Sequence, residues 1–487
     1  MLSPILRRSR ESAFMLTLAD VVEALTGTRP PRGEDVIPET VVDSRHVIPG
    51  AMFVALPGER HDGHDFVGDA FQRGATVALT TRAVEGWPAL DLRNGFSAPA
   101  WEAFQTPGCI VVPNALDALQ QIARFWRQKM SHVRVIGVTG SVGKSTTKEL
   151  VAQVLSRRYR TLKNLGNFNN EIGLPLTLLR LTEGYQRAVL EMGFYVPGEI
   201  ALLCDIAQPQ IGVVTNIGLV HAERAGSQET IARGKAELVE ALPPAPEGVA
   251  ILNYDDPWVR DMAAKTQARV FFYGLSPKAD LWADEIEGLG LDGIRLRLHY
   301  RGETLTIKVP LLGRHSVHTV LRAAAVGLVE GLSWGDIVAG LRTDYTQLRL
   351  VAVRAFNGAL LLDDTYNASP QSTLAALNLL ADLSGRRVAV LGDMLELGPY
   401  EHEGHWKVGV RAAAVASLLV TVGPRSRWIA EAARQSGMAS ERILETQDAD
   451  EAIAVLRDVL QPVDVVLVKG SRGVKMDRIV SALEAAA

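Results

Sequence analysis

Residues 133–147 read VRVIGVTGSVGKSTT, and this stretch decides how the rest of the chain is read. The β-branched run Val133–Ile136 predicts a buried strand. A glycine loop follows, Gly140-Ser141-Val142-Gly143, then Lys144-Ser145-Thr146. A helix pattern starts at once, with Leu150, Val151, Val154 and Leu155 on one face. Strand, glycine loop, Lys-Ser and helix, in that order, wrap backbone N–H groups around a phosphate. The glycines let the backbone come close, Lys144 reaches the terminal phosphates, and Ser145 is placed to ligate Mg²⁺. The general pattern has a glycine five residues before Gly143, where this chain has Val138. The bland alternative is a chance glycine-rich turn, but lysine, serine, strand and helix all in place disfavour it.

Composition bounds the remaining options. A chain of 487 residues exceeds one hydrophobic core and implies two to four domains. With 47% hydrophobic and 22% charged residues it is a globular protein, and a net charge of −4 gives no reason to expect a nucleic-acid partner. Two cysteines, Cys109 and Cys204, cannot build a disulfide framework and suit a reducing cytosol. The arginines near the N-terminus are followed by Asp20 and Glu23, so no signal-peptide core forms, and no run reaches the length of a membrane span. The recognisable pattern begins at Leu16, which makes Met15 an alternative start.

Taken in order, Leu16–Gly27 predicts a short amphipathic helix ending in glycine. Residues 41–80 form a small α/β unit with a polar loop, Gly58–Phe66. Residues 83–108 are weakly patterned, contain Pro88, Pro99 and Pro107, and read as an insertion or linker. A helix over Ala115–Met130 leads into the phosphate-loop strand. Beyond it come an asparagine-rich loop over 161–176, a strand ending in Glu191, and another, Ile211–Asn216, followed by His221. Strands alternating with helices mean a parallel sheet with crossovers, whose ligands gather at the carboxyl ends of the strands. Lys144, Glu191 and His221 all fall at such ends. Residues 280–309 alternate as strands, and an alanine-rich helix opens at Gly313. After a composition break near Asp344, Val351–Leu362 predicts a hairpin with a two-residue Asn357-Gly358 turn. Strands at Val388–Leu391, Leu418–Val422 and Val463–Val468 then build a Rossmann-like unit without the dinucleotide fingerprint. The expected fold is α/β in three domains, with boundaries at 1–112, 113–345 and 346–487.

Together the motifs resemble the Mur ligases, ATP-dependent amide ligases of peptidoglycan precursor synthesis. The resemblance runs from Leu16 nearly to the end. It is carried by DSRHVIPGAMFVALPGERHDGHDF, VTGSVGKSTTKE, NLGNFNNEIGLPLTLL, LEMGFYVPGEI, TNIGLVHAE, GRHSVHTVLRAAA, LLDDTYNASP, VLGDMLELG and VLVKGSRG. It implies three domains: one for a UDP-sugar, a central one for ATP, and a C-terminal one for the incoming amino acid or dipeptide. The motif set is nearest to the enzymes that add D-alanyl-D-alanine to UDP-N-acetylmuramoyl-tripeptide. The cofactors implied are ATP and Mg²⁺, the setting cytoplasmic, and the state monomeric.

The resemblance also implies site residues. Thr139, Gly140, Ser141, Val142, Gly143, Lys144, Ser145 and Thr146 would hold the ATP phosphates, and Asp364 and Arg349 its nucleoside side. Ser145, Glu191, His221 and Lys235 would serve Mg²⁺. Lys144, His221 and Lys235 would be the catalytic groups. Ser44 and Arg45 would contact the uridine diphosphate, and Asn169, Asn170, Tyr366, Asn367 and Lys469 the substrates. Lys235 shares one helix face with Ile231, Leu238 and Leu242 and is expected to be carbamylated. A snorkelling lysine is its bland alternative. The family prefers asparagine where Ser316, Thr319 and Ser369 stand, and a hydroxyl there has shorter reach. Three other readings compete. One is the sibling adding the third amino acid, disfavoured because Val422-Gly423-Pro424-Arg425 lacks Asp-Asn before the proline. The others are a non-catalytic ligase-like binder and a phosphate-loop ATPase of another pathway.

Overall fold

The computed structural model describes residues 15–58, 61–219, 222–342 and 351–485. His221 and Arg349, and the boundary at 345, lie outside the described residues.

The first helix is Leu18–Thr26. Thr17 and Asp20 form a reciprocal capping box, and Gly27, at φ 70°, closes the helix in the left-handed region. A five-stranded parallel sheet follows: β1 (Thr40–Val41), β2 (Met52–Val54), β3 (Val77–Thr80), β4 (Ala89–Asp91) and β5 (Gly108–Val111), in the order 1-2-3-5-4. Residues 83–108, read as an insertion or linker, carry edge strand β4 and a short helix, Ala98–Ala103. Only the middle residue of β4 is buried, so no alternating apolar run marks it in the sequence.

A nine-stranded sheet comprises β6 (Arg134–Thr139), β7 (Thr161–Lys163), β8 (Arg187–Glu191), β9 (Ile211–Val214), β10 (Val249–Asn253), β11 (Arg269–Gly274), β12 (Leu281–Gly288), β13 (Ile294–Tyr300) and β14 (Glu303–Val309). Its order is 14-13-12-11-10-9-6-8-7. Strands β9 and β10 are buried along their whole length, as in sheets covered on both faces. Strands β12–β14 pair antiparallel and alternate buried with open positions, as their sequence predicts.

The last sheet contains β15 (Val351–Arg354), β16 (Leu360–Asp364), β17 (Arg386–Gly392), β18 (Leu418–Val422), β19 (Ile443–Thr446) and β20 (Asp464–Lys469), in the order 15-16-20-17-18-19. All pairs but β15–β16 are parallel. Alternate residues feed two cores: Ala389, Leu391, Leu419 and Leu467 on one face, Val388, Val390, Val420 and Val468 on the other. This is the doubly wound arrangement expected from the sequence. The β15–β16 turn differs from expectation. Ala355 N–H bonds to Ala359 and Gly358 N–H to Ala355, so the loop has three residues, with Gly358 at φ 92° as the bulge residue.

By internal contacts the chain forms two compact units. One holds the residues up to Gly137 with Tyr159–Gly193 and Gly198–Ile211; the other holds Val138–Arg158, Phe194–Pro197 and the chain from Gly212. No helix among the described residues is long and apolar enough to cross a membrane.

Candidate active site

Within the second unit the loop after β6 runs into the helix Lys144–Leu155. Gly140 sits at φ 139°, and a Cβ there would fall 1.8 Å from Thr215 Oγ1, so no other residue fits. The segment after β9 fastens this loop. Ser141 N–H donates to the Asn216 carbonyl, Val142 N–H to Asn216 Oδ1, and Thr215 Oγ1 and Asn216 Nδ2 donate to the Val142 carbonyl. Ser141 Oγ both donates to the Gly218 carbonyl and accepts from its N–H. The loop is thus fastened by hydrogen bonds to backbone groups and side chains of that segment, which preorganises it for an anion. Gly143, at φ 83°, starts the helix with no side-chain cap, leaving the positive end of the helix dipole unscreened by a carboxylate or hydroxyl. Lys144 Nζ lies along the loop, donating to the carbonyls of Gly140 at 2.9 Å and Ser141 at 3.3 Å.

A cavity of about 510 Å³ opens beside this loop. Ser141, Val142, Gly143 and Thr146 form its phosphate-loop wall, and Asp364, Asn367, Ser369 and Lys469 line it too. Asp364 and Lys469 face each other in register at the carboxyl ends of β16 and β20 and form an ion pair of 2.7 Å. Lys469 also donates to the Asn367 carbonyl at 2.8 Å. The cavity therefore places a glycine-loop anion cradle and an oriented carboxylate in one space. Tyr366 is 43% exposed and does not line the cavity.

The three positions where a hydroxyl replaces the asparagine of the resemblance are all engaged within the protein. Ser316 Oγ donates to the Leu312 carbonyl at 2.7 Å. Thr319 Oγ1 accepts from Arg322 at 2.8 Å. Ser369 is the N-cap of the helix Pro370–Ala381 and shares a capping box with Ser372.

Lys235 is 1% exposed on the helix Gln228–Glu240, on one buried face with Ile231 and Leu238, while Leu242, expected on the same face, is buried just past the helix end. Its ammonium stands 4.7 Å from the centre of the Phe194 ring. The same ring packs so closely on Gly234 that a Cβ there would meet it at 2.0 Å. The lysine therefore does not snorkel to solvent.

In the first unit, Glu191 ends β8 and is 2% exposed. Asn169 Nδ2 donates to its Oε1 at 2.9 Å. Asn164 brackets its backbone, accepting from Glu191 N–H and donating to its carbonyl. The asparagine loop and the strand-end acid are thus one construction. Asn170 instead accepts from Gly173 N–H at the start of the next helix, a turn role. Arg45 pairs with Asp43 in fork geometry and holds that carboxyl down at about 2, while its own side chain stays 79% exposed. Ser44 is buried beside it and donates to Asp69. In the polar loop that follows, His64 Nε2 accepts from Thr81 N–H and Nδ1–H donates to Asp62, so this histidine pins the loop. Among the described residues no three His, Cys, Asp or Glu side chains gather as a metal cage. Mg²⁺ held by phosphate oxygens, water and one or two protein oxygens needs none, and Ser145 and Glu191 are oxygen donors of the right type.

Comparison with known proteins adds to this geometry. The pattern described as Mur ligase middle domain matches residues 138–327, that of the Mur ligase, glutamate ligase domain 348–472, and that of the Mur ligase family, catalytic domain 39–127. A UDP-N-acetylmuramoyl-tripeptide--D-alanyl-D-alanine ligase of Synechocystis is 37% identical over 456 residues, covering 92% of this chain and 93% of its own. The chain is a Mur ligase. This Mur ligase also resembles the crystal structure of MurF from Acinetobacter baumannii, with a TM-score of 0.82 and 30% identity over 96% of this chain and 98% of that one. The MurF ligase of Thermotoga maritima in complex with ADP gives a TM-score of 0.75 at 28% identity, over 91% and 96% of the two chains.

The cavity of this Mur ligase is also lined by residues that no motif singled out: Asn253 at the end of β10, Asp256 just beyond it, Gln371, and Arg322. The first two sit at the carboxyl end of a strand left unmarked in the sequence, although the apolar run Val249–Leu252 followed by Asn253 and Asp256 is a signal for a strand-end site. Arg322 stands beside alanines on a helix read only as alanine-rich.

Proposed function

We propose that this Mur ligase adds D-alanyl-D-alanine to UDP-N-acetylmuramoyl-tripeptide at the expense of ATP, and that it works in the cytoplasm as a monomer. One observation carries the reading: in a chain of this family, the loop Ser141–Gly143 and the pair Asp364–Lys469 open onto a single cavity. The likeness to the Synechocystis enzyme over 92% of the chain supports the dipeptide as acceptor rather than a single amino acid. On this reading residues 1–112 take the UDP-sugar through Ser44 and Arg45, 113–345 hold ATP, and 346–487 receive the dipeptide.

The reaction joins two anions, so charge must be neutralised before bonds can form. The tripeptide carboxylate attacks the γ-phosphorus of ATP, the bond to the bridging oxygen breaks, and ADP departs. The dipeptide amine then attacks the acyl phosphate carbon, loses a proton, and expels inorganic phosphate. Lys144 draws the γ-phosphoryl oxygens to the loop N–H groups, and stabilising the charge that develops there is the largest contribution a protein makes to phosphoryl transfer. Mg²⁺ supplies the remaining positive charge at the phosphates when bound. Ser145, Glu191, His221 and a carbamylated Lys235 would hold it. Carbamylation turns a buried ammonium into an oxygen anion, the donor a hard cation takes. Asp364 and Arg349 orient the nucleoside. Asn169, Asn170, Tyr366, Asn367 and Lys469 contact the peptide substrates.

Purified protein, ATP and Mg²⁺ are incubated with UDP-muramoyl-tripeptide or UDP-muramoyl-dipeptide and with D-Ala-D-Ala or single amino acids, following phosphate release and product mass. Turnover with the dipeptide alone is expected. Turnover with a free amino acid on UDP-muramoyl-dipeptide would assign the sibling activity instead.

A further inference from the structure

Arg322 is a buried cation in the cavity wall, 3% exposed, on the helix Val317–Val329. Its Nη2 donates to the neutral Thr319 hydroxyl at 2.8 Å. It also bonds to the phenol of Tyr273, whose hydroxyl points at the carbonyls of Val214 and Thr215. Among the described residues its Nε has no acceptor. The neighbouring acids are otherwise engaged: Asp255 with His318 and Leu275 N–H, Asp256 with the N–H groups of Ile217, Trp258 and Val259. A guanidinium taken out of water with only neutral partners is costly unless an anion joins it. Its position says which anion. Nη2 lies 3.2 Å from where a Cβ on Gly143 would stand, so the guanidinium abuts the last loop glycine.

We propose that Arg322 is a nucleotide-phosphate clamp, offering a phosphate oxygen beside Gly143 a charged partner from the wall that Lys144 does not occupy. This rests on reading the cavity as the ATP site. A guanidinium fork suits phosphate oxygens, and the idle Nε is the second prong of that fork. Thr319 then has a task of its own: its hydroxyl holds Nη2 in place.

The test compares wild type with Arg322→Met and Arg322→Lys, measuring affinity for ADP and for adenosine by competition with a fluorescent nucleotide, and the melting temperature without ligand. Arg322→Met should weaken ADP by roughly ten- to a hundredfold, leave adenosine unchanged, and leave the ligand-free melting temperature the same or higher. Arg322→Lys should recover part of the ADP affinity. ADP binding of Arg322→Met within about twofold of wild type overturns the clamp. So does an equal loss for adenosine, which assigns the residue to the nucleoside. A ligand-free melting temperature several degrees lower in both variants makes it structural. A wild-type chain that binds no ADP overturns the nucleotide reading of the cavity itself, and the clamp with it.

Discussion

Gly140 and Lys144 illustrate how much of the site is written at single positions. Gly140 is required by space, since Thr215 Oγ1 stands where its Cβ would be. The proposed role of Lys144 rests on charge. Lys144→Ala should leave the circular dichroism spectrum unchanged while removing ligation, a loss of about 3 kcal/mol or more of transition-state stabilisation. Near-normal phosphate release in that variant would exclude the proposed role. A lysine after a glycine loop and an acid at a strand end are local signals, so the helix start at Lys144 and the strand end at Glu191 were legible, while the roles of Lys144, Ser145 and Glu191 belong to the proposal. Arg322 was not legible, because its meaning depends on burial and on the neighbours that Tyr273 and Thr319 supply from elsewhere in the chain. His64 stands in a stretch read only as a polar loop, and its bonds to Asp62 and to Thr81 N–H serve to hold that loop.

Helix ends and turns account for the departures at the level of elements. Ser369, which seemed a shortened ligand, is the N-cap of Pro370–Ala381. Ser369→Ala should cost about 1 kcal/mol, and Ser369→Asn nearly nothing, because both serine and asparagine cap well. Urea unfolding of the two variants reads the difference, and a loss in the asparagine variant equal to that in the alanine variant would show that capping is not what Ser369 contributes. The helix Gln228–Glu240 bears out its predicted face down to Lys235. If Lys235 acts as a carbamate, Lys235→Ala should be nearly inactive and partly rescued by small carboxylic acids, whereas Lys235→Arg should not recover. Full activity in the alanine variant, or rescue by amines in place of acids, would remove the carbamate from the mechanism. The hairpin after Arg354 was recognised by its Asn-Gly signal but mis-registered by one residue. That dipeptide reports a turn, while the loop length is set by how Val351–Arg354 pairs with β16.

Across the whole molecule the alternation of strands and helices made the α/β class legible, and with it the sheet ends where ligands collect. Short strands such as β4 and β19 escaped, being half-exposed edge segments without a periodic pattern. Compact units cannot be read from composition at all, since contacts join 159–193 to the N-terminal residues across a long span of chain. One stability property of the chain follows from His405. Its Nε2 accepts from Met394 N–H and its Nδ1–H donates to the Glu401 carbonyl, so the fold holds the neutral ring, and burial pushes its pKa from 6.5 down to about 4. The unfolded chain binds this proton first as pH falls. Stability is therefore full above about pH 6.5 and declines toward pH 4, by about 3 kcal/mol from this group. The Trp428 ring, 5.7 Å from His405, gives a fluorescence readout of denaturant unfolding across that range. In His405→Gln the acid-side slope should flatten, and an unchanged slope would place the titration elsewhere.

The facing of Asp364 and Lys469 has a consequence for descent. Their meeting depends on strand register, 364 opposite 469, and not on either side chain alone. A one-codon deletion in β16 or β20 turns one partner to the opposite face and leaves the other charge by itself in the cavity wall. Substitutions in those strands can be reverted singly, whereas a length change there cannot. In lineages that keep this chain under selection, insertions and deletions should collect in loops such as the one before Ile443, while β16 and β20 change letter by letter and never in length.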